Sequence, residues 1–141
     1  MPYIKVYVHF VWSTKSRIKF LNEEIRKPVF KHIVDNATQK KINIVQIGGY
    51  SDHVHCLVSL NSQQSVSQVA QLLKGESSNW INNNKLTSEP FGWQEEYSVF
   101  SVNYGNLKEL KEYIQNQAIH HKKKTFEQEL NDFYKENDIN L

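Results

Sequence analysis

The sequence predicts an α+β fold: one antiparallel sheet with two helices on one face and further helices after the last strand. Three observations predict it. Four stretches alternate apolar with polar residues and are rich in β-branched and aromatic types. Two long stretches with apolar residues four apart interrupt them, giving the order β-α-β-β-α-β. The 141 residues suffice for one core, and no repeat, low-complexity stretch or linker divides them, so residues 1–141 read as a single domain.

Residues 3–12 alternate well and predict the first strand, followed by a polar, basic loop over 13–20. Ile25, Val29, Ile33 and Ala37 predict a helix over 22–41, with Asn22 as its cap and Glu23 and Glu24 in its first turn. Pro28 argues against an uninterrupted helix and moves the expected start towards 27. Residues 43–50 and 53–60 predict two strands joined at Ser51-Asp52. In the second, Val54, Cys56, Val58 and Leu60 share one face; His53, His55, Leu57 and Ser59 share the other.

Val66, Val69, Ala70, Leu73, Trp80 and Ile81 predict a helix over 65–84, in which Gly75 costs about 1 kcal/mol against alanine. Residues 93–102 predict the last strand. A helix then runs from Asn106 to about His121 on Leu107, Leu110, Ile114 and Ala118, and another from about Thr125 to Tyr134. This order is the ferredoxin-like arrangement, which leaves one sheet face for function or for the extra C-terminal helix.

Apolar residues are 39% and charged residues 23%, the balance of a globular protein. No apolar run approaches the roughly 20 residues of a membrane span, and Met1 to Phe10 lacks a signal-peptide pattern. The single cysteine, Cys56, excludes an intrachain disulfide and a Cys-rich zinc site, and its alternation places it in the core. A cytoplasmic protein is expected. Residues 1–60 carry nine Lys/Arg against four Asp/Glu, and residues 61–141 carry eight against eleven. The basic half suits a polyanion, though such a bias is common.

Two constellations could carry chemistry. His53 and His55 are i and i+2 of a strand, so their side chains point the same way about 7 Å apart and suit one divalent ion; a plain pair of half-buried histidines is the ordinary alternative. Tyr113 and Gln117 are i and i+4 of a helix and stack on one face. A Gln carbonyl suits a hard ion such as Mg²⁺ or Mn²⁺, and a tyrosine beside a metal-bound phosphate is a plausible nucleophile. A helix tyrosine packed on the sheet is the alternative. Of His120 and His121, adjacent on a helix, at most one can join such a site. No acidic ligand is evident apart from Asp52. Neither a second H-x-T/S motif, a third histidine after His55, nor a G-x-S-x-G elbow supports other hydrolase classes. Lys15, Arg17, Lys19 and the run Lys122, Lys123 and Lys124 are candidate phosphate contacts.

Together these pieces resemble the single-tyrosine HUH transposases of small single-strand bacterial insertion sequences. His53-Val54-His55 fits the His-hydrophobic-His motif. "HFVWSTKSR" looks like the family's first strand and basic loop, "SDHVHCLVSL" like its metal strand, "LLKGESSNWIN" like its second helix, and "YIQNQAIHHKKKTFEQEL" like its tyrosine helix and tail. The resemblance spans roughly residues 8–130. It implies His53, His55 and Gln117 as ligands of Mg²⁺ or Mn²⁺, Tyr113 as the nucleophile that becomes joined to a 5′ phosphate, and Lys74 among the DNA contacts. It implies single-stranded DNA with hairpin ends as substrate. It also implies a homodimer in which Tyr113 of one chain completes the other's site; the loop between Asn103 and Asn106, with Gly105, is the hinge that such an exchange would use. Two alternatives stay open: the same core retained by a host to nick and join repetitive hairpins, and a non-catalytic module that holds single strands on its sheet.

Overall fold

The computed structural model describes residues 2–121 and 123–140. Four strands, β1 (Val6–Ser13), β2 (Asn43–Gly49), β3 (His53–Leu60) and β4 (Ser98–Val102), form one sheet in the order β2-β3-β1-β4. Every neighbouring pair is antiparallel. Helix α1 (Glu23–Gln39) connects β1 to β2, and α2 (Val66–Asn83) connects β3 to β4. This is the predicted ferredoxin-like α+β arrangement, completed by α3 (Leu107–Gln115), the single turn α4 (Gln117–His120) and α5 (Phe126–Glu136).

The strand alternation decides what each face meets. Val8, Phe10 and Trp12 of β1 and Val54, Cys56 and Val58 of β3 pack against Val29, Ile33 and Ala37 of α1 and Val69, Ala70, Leu73 and Ile81 of α2. Each large apolar side chain buried there contributes on the order of 1.5–3 kcal/mol. Cys56 is fully buried among them, and burial raises its thiol far above the ordinary range, so it is inert core. The opposite face carries His9, Val11, His53, His55 and Leu57. Leu57 meets Leu107 and Ile114 of α3; Val11 and Phe100 meet Phe126 and Phe133 of α5. The C-terminal helices thus roof the face that the two crossover helices leave open.

The helix starts follow their caps. Asn22 accepts from the backbone N–H groups of Glu24 and Ile25, so α1 begins at Glu23, not near 27. Pro28 is tolerated in its second turn, where it forfeits a single hydrogen bond to the Glu24 carbonyl. Ser65 with Gln68 and Thr125 with Gln128 form capping boxes at α2 and α5. Strand β1 starts three residues later than expected, and the basic loop contains a 3-10 turn over Lys15–Arg17. Strand β4 is shorter than expected, because residues 93–97 run alongside α2 and only Trp93 bridges to Thr14.

The largest departure lies after Asn106. The expected single helix to His121 is broken at Asn116, whose φ of −100° and ψ of 28° leave the helical range. The break rotates the following turn, so Ala118 is exposed and Gln117 is buried in its place.

Candidate active site

The site is built on the face of β3 that points away from α1 and α2. His53 and His55 both project there, and both are fully buried. β1 pairs Ser13 with His53 and Val11 with His55, which puts both imidazoles in the middle of the sheet rather than on its edge. The Nδ1 of His53 lies 2.8 Å from Oδ1 of Asp52. That leaves Nε2 facing inward, 2.9 Å from Oε1 of Gln117. The Nε2 of His55 lies 2.8 Å from Oε1 of Glu129, and its Nδ1 lies 2.8 Å from Nε2 of His9.

Tyr113, on α3, arrives from the roof. Its hydroxyl donates a hydrogen bond to Oε2 of Glu129, and its ring stands edge-on to His55 with centroids 5.9 Å apart. Gln117 Nε2 donates to the same carboxylate oxygen at 3.1 Å and to the Tyr113 carbonyl at 3.4 Å. Tyr113 and Gln117 therefore meet as the i and i+4 spacing predicts, even though the helix breaks between them. Of the adjacent histidines, His121 enters, with Nε2 3.0 Å from Gln117 Oε1, while His120 stacks on the Tyr113 ring at 4.4 Å.

Glu129 corrects the expectation that Asp52 is the sole acidic neighbour. It lies on α5, is 2% exposed, and converges with His53 and His55 so that one ligand atom from each lies within 4.8 Å of the others. Sequence reading missed it because a glutamate in the first turn of an amphipathic, charge-rich helix reads as a solvated partner of the helix N-terminus. The signal available was its place in the helix: Phe126, Leu130 and Phe133 mark the buried stripe, and Glu129 falls on the same side.

The electrostatics follow from this packing. Burial disfavours a charged His53, yet its hydrogen bonds to Asp52 and Glu129 prevail and push it up to about 9. Burial pulls His55 down to about 4 against the attraction of Glu129. Burial would raise the Glu129 carboxyl, but hydrogen bonds from His121, His53 and His55 hold it well below the usual carboxylate range. Burial, reinforced by that carboxylate, raises the Tyr113 phenol above its ordinary range. Two imidazole nitrogens, an amide oxygen and an ionised carboxylate around one point are a donor set that suits Mg²⁺ or Mn²⁺. A cavity of about 600 Å³ opens beside Tyr113 and Glu129, with His9, Phe100, Leu110 and Phe133 in its wall.

The expected phosphate contacts divide. Lys15, Arg17 and Lys19 are exposed on the β1–α1 loop, and Arg17 also approaches Glu127 at 3.8 Å. Lys123 is exposed; Lys124 pairs with Asp132 and borders the cavity; Lys122 lies outside the described residues. Lys74 is committed elsewhere: its ammonium donates to the carbonyls of Gln94 at 2.7 Å, Glu95 at 2.8 Å and Glu96 at 3.4 Å, and lies 5.4 Å from the Tyr97 ring centroid. With its three protons so used, it ties down the loop before β4. Among the described residues, no helix is long and apolar enough to cross a membrane.

The family model described as transposase, IS200-like, matches residues 3–117. The ISDra2 transposase TnpA of Deinococcus radiodurans is 25% identical over 114 residues, covering 77% of this chain and 81% of that protein. A crystal structure of a Deinococcus radiodurans protein assigned as a transposase superposes with a TM-score of 0.67 at 26% identity, covering 82% of this chain and 93% of that one. The REP-associated tyrosine transposase bound to a REP hairpin superposes with a TM-score of 0.64 at 16% identity, covering 86% and 72%, which speaks for the fold. Glu129 lies beyond the matched segment.

Proposed function

The chain belongs to the IS200-like transposases, and on that premise we propose that it cleaves and rejoins single-stranded DNA through a phosphotyrosine on Tyr113. The observation that carries this reading is the meeting, on one buried sheet face, of the Tyr113 hydroxyl with His53, His55, Gln117 and Glu129. His53, His55 and Gln117, joined by Glu129, would hold Mg²⁺ or Mn²⁺. That ion supplies Lewis-acid polarisation and orientation of the scissile phosphate.

The chain's own residues do the rest. The phenolic proton of Tyr113 leaves along its hydrogen bond to Glu129 and on to water, and the phenolic oxygen attacks phosphorus. The bond from phosphorus to the 3′ oxygen breaks, the 5′ phosphate stays on Tyr113, and the released 3′ oxygen takes up a proton. Phosphodiester bond energy is retained in the phosphotyrosine, so a second 3′ hydroxyl can reverse the step without ATP. Glu129 accepts the Tyr113 hydrogen bond and so fixes where the phenolic oxygen sits. Asp52 orients His53.

Hairpin-ended single strands are the proposed substrate, for a mobile element and for a host-retained enzyme alike. A binding module that only holds strands would need exposed aromatics on the sheet, whereas this face carries buried histidines under a helical roof. A homodimer with shared sites belongs to the same reading. In this structure Tyr113 reaches its own chain's histidines, and the turn Tyr104–Asn106 is the segment that would have to open for exchange. Mixing Tyr113→Phe with His55→Ala chains restores activity only if sites are shared.

The deciding experiment incubates wild type and Tyr113→Phe with single-stranded hairpin DNA and Mn²⁺ and resolves the protein on a denaturing gel. A slower-migrating adduct that needs metal and vanishes in Tyr113→Phe is expected. Cleavage without an adduct, surviving Tyr113→Phe, would identify a metal-dependent hydrolase instead.

A further inference from the structure

His9 has no part in the chemistry above, yet it is built into the site. It lies on β1 diagonally across from His55, since β1 pairs Val11 with His55 and His9 with Leu57. Its side chain is 1% exposed, and its Nε2 lies 2.8 Å from His55 Nδ1. The two rings are nearly parallel, with centroids 5.0 Å apart and planes at 24°. Phe133 meets the His9 ring edge-on at 5.0 Å and Phe100 lies 6.0 Å away, so the ring has a fixed orientation. An apolar side chain would fill this slot without the cost of burying a polar ring, which is about 1–3 kcal/mol when a partner is lacking. An imidazole here therefore has a use, and the atom it addresses is His55 Nδ1.

We propose that His9 is a positioning residue that partners His55 Nδ1 in either tautomer, so that the proton of His55 can move from Nε2 to Nδ1 when an ion binds. The proposal rests on the reading that His55 holds a divalent ion. In the structure His55 Nε2 faces Glu129 Oε1 at 2.8 Å, which requires a proton on Nε2 and leaves Nδ1 to accept from His9 Nε2–H. A His55 that holds an ion through Nε2 must carry its proton on Nδ1 instead, and His9 Nε2 must then accept. The same 2.8 Å bond serves both states because an imidazole can donate or accept at that nitrogen. Proton number is conserved: each ring keeps one proton, and His9 moves its own to Nδ1. His9 borders the cavity, where solvent can exchange that proton. His53 needs no such partner, because the carboxylate of Asp52 can only accept and keeps a proton on Nδ1 whatever Nε2 faces.

The test measures Mn²⁺ affinity by calorimetry on chelator-stripped protein, for wild type, His9→Phe, His9→Gln and His55→Ala, with melting curves taken without metal. His9→Phe keeps an aromatic ring in the slot and removes the acceptor; a loss of 10- to 100-fold in affinity is expected, as for other partners that orient metal-bound histidines. His9→Gln, whose amide can donate or accept near the same point, should recover affinity to within a few-fold. Unchanged affinity in His9→Phe overturns the proposal while loss in His55→Ala keeps the metal site; unchanged affinity in both overturns the site reading as well. Should His9→Phe fail to fold, nitrogen NMR of wild-type His55 with and without Mg²⁺ decides. A proton that moves from Nε2 to Nδ1 on loading is the expected result, and one that stays on Nε2 refutes it.

Discussion

The Tyr113 hydroxyl donates its hydrogen bond to the same Glu129 carboxylate whose other oxygen lies 2.8 Å from His55 Nε2. One side chain on α5 thus touches both the tyrosine on α3 and the histidines on β3. Glu129→Gln keeps the shape but loses the charge, and an amide donor then faces His53 or His55. We expect Mn²⁺ affinity to fall at least ten-fold, by comparison with the 10–100-fold typical of outer partners, and the rate of Tyr113 adduct formation to fall with it. Titration calorimetry and a time course of adduct formation check this. Wild-type values for both would remove Glu129 from the site.

Metal binding should also stabilise the fold, because the proposed ligands on β3 lie 64 and 74 residues from their partners on α4 and α5. An ion at about 100 times its dissociation constant adds about 2.7 kcal/mol. For a domain of this size that raises the melting temperature by about 5–10 °C. The rise should reverse with EDTA and be absent in His53→Ala. A melting temperature indifferent to Mn²⁺ in the wild type would contradict the assigned ligand set.

How much of this was legible in the sequence differs by element. Period-two alternation over Val54–Leu60 placed His53 and His55 on one face because a strand keeps its side-chain period whatever covers it. The i and i+4 spacing brought Tyr113 and Gln117 together because one helical turn sufficed. Asn116 was not legible as a break: its neighbours propagate a helix, and burial of Gln117 against His53 is a tertiary effect that local propensity does not contain. Glu129 and His9 were missed for a related reason. Each is ordinary in its own element and acquires meaning from a partner 74 or 46 residues away.

Lys15 and Lys19 are exposed on the loop after β1, whereas Lys74 is spent on backbone carbonyls. Each lysine that contacts a phosphate of a single strand contributes about 0.7 to the slope of log affinity against log salt. The double substitution Lys15→Ala and Lys19→Ala should therefore flatten that slope by about 1.4. Lys74→Ala should leave the slope alone and lower the melting temperature by loosening residues 94–96. Fluorescence anisotropy with a labelled single strand at several salt concentrations separates the two. A Lys74→Ala slope flattened by about 0.7, one lysine's share, would mean that the lysine leaves its carbonyls to bind DNA.

Gly48 fixes how closely the tyrosine helix lies on the sheet. A Cβ built on it would stand 2.2 Å from the Ile114 carbonyl oxygen and 2.9 Å from the Ile114 Cγ2. The first obstacle is backbone, so it cannot swing aside; α3 itself must shift. Ile114 is the residue after Tyr113, so that shift moves the phenol relative to His55 and Glu129. Gly48→Ala should cost about 1–3 kcal/mol, the range for overpacking. It should slow adduct formation by more than this loss of stability explains, since an ångström of misplacement can cost about a hundred-fold in rate. Mn²⁺ affinity should change far less, because His53 and His55 sit on β3 and Glu129 on α5. Assaying all three at a temperature where the variant is fully folded tests the argument. An adduct rate that stays at wild-type level while stability drops would show that α3 tolerates the displacement without moving Tyr113.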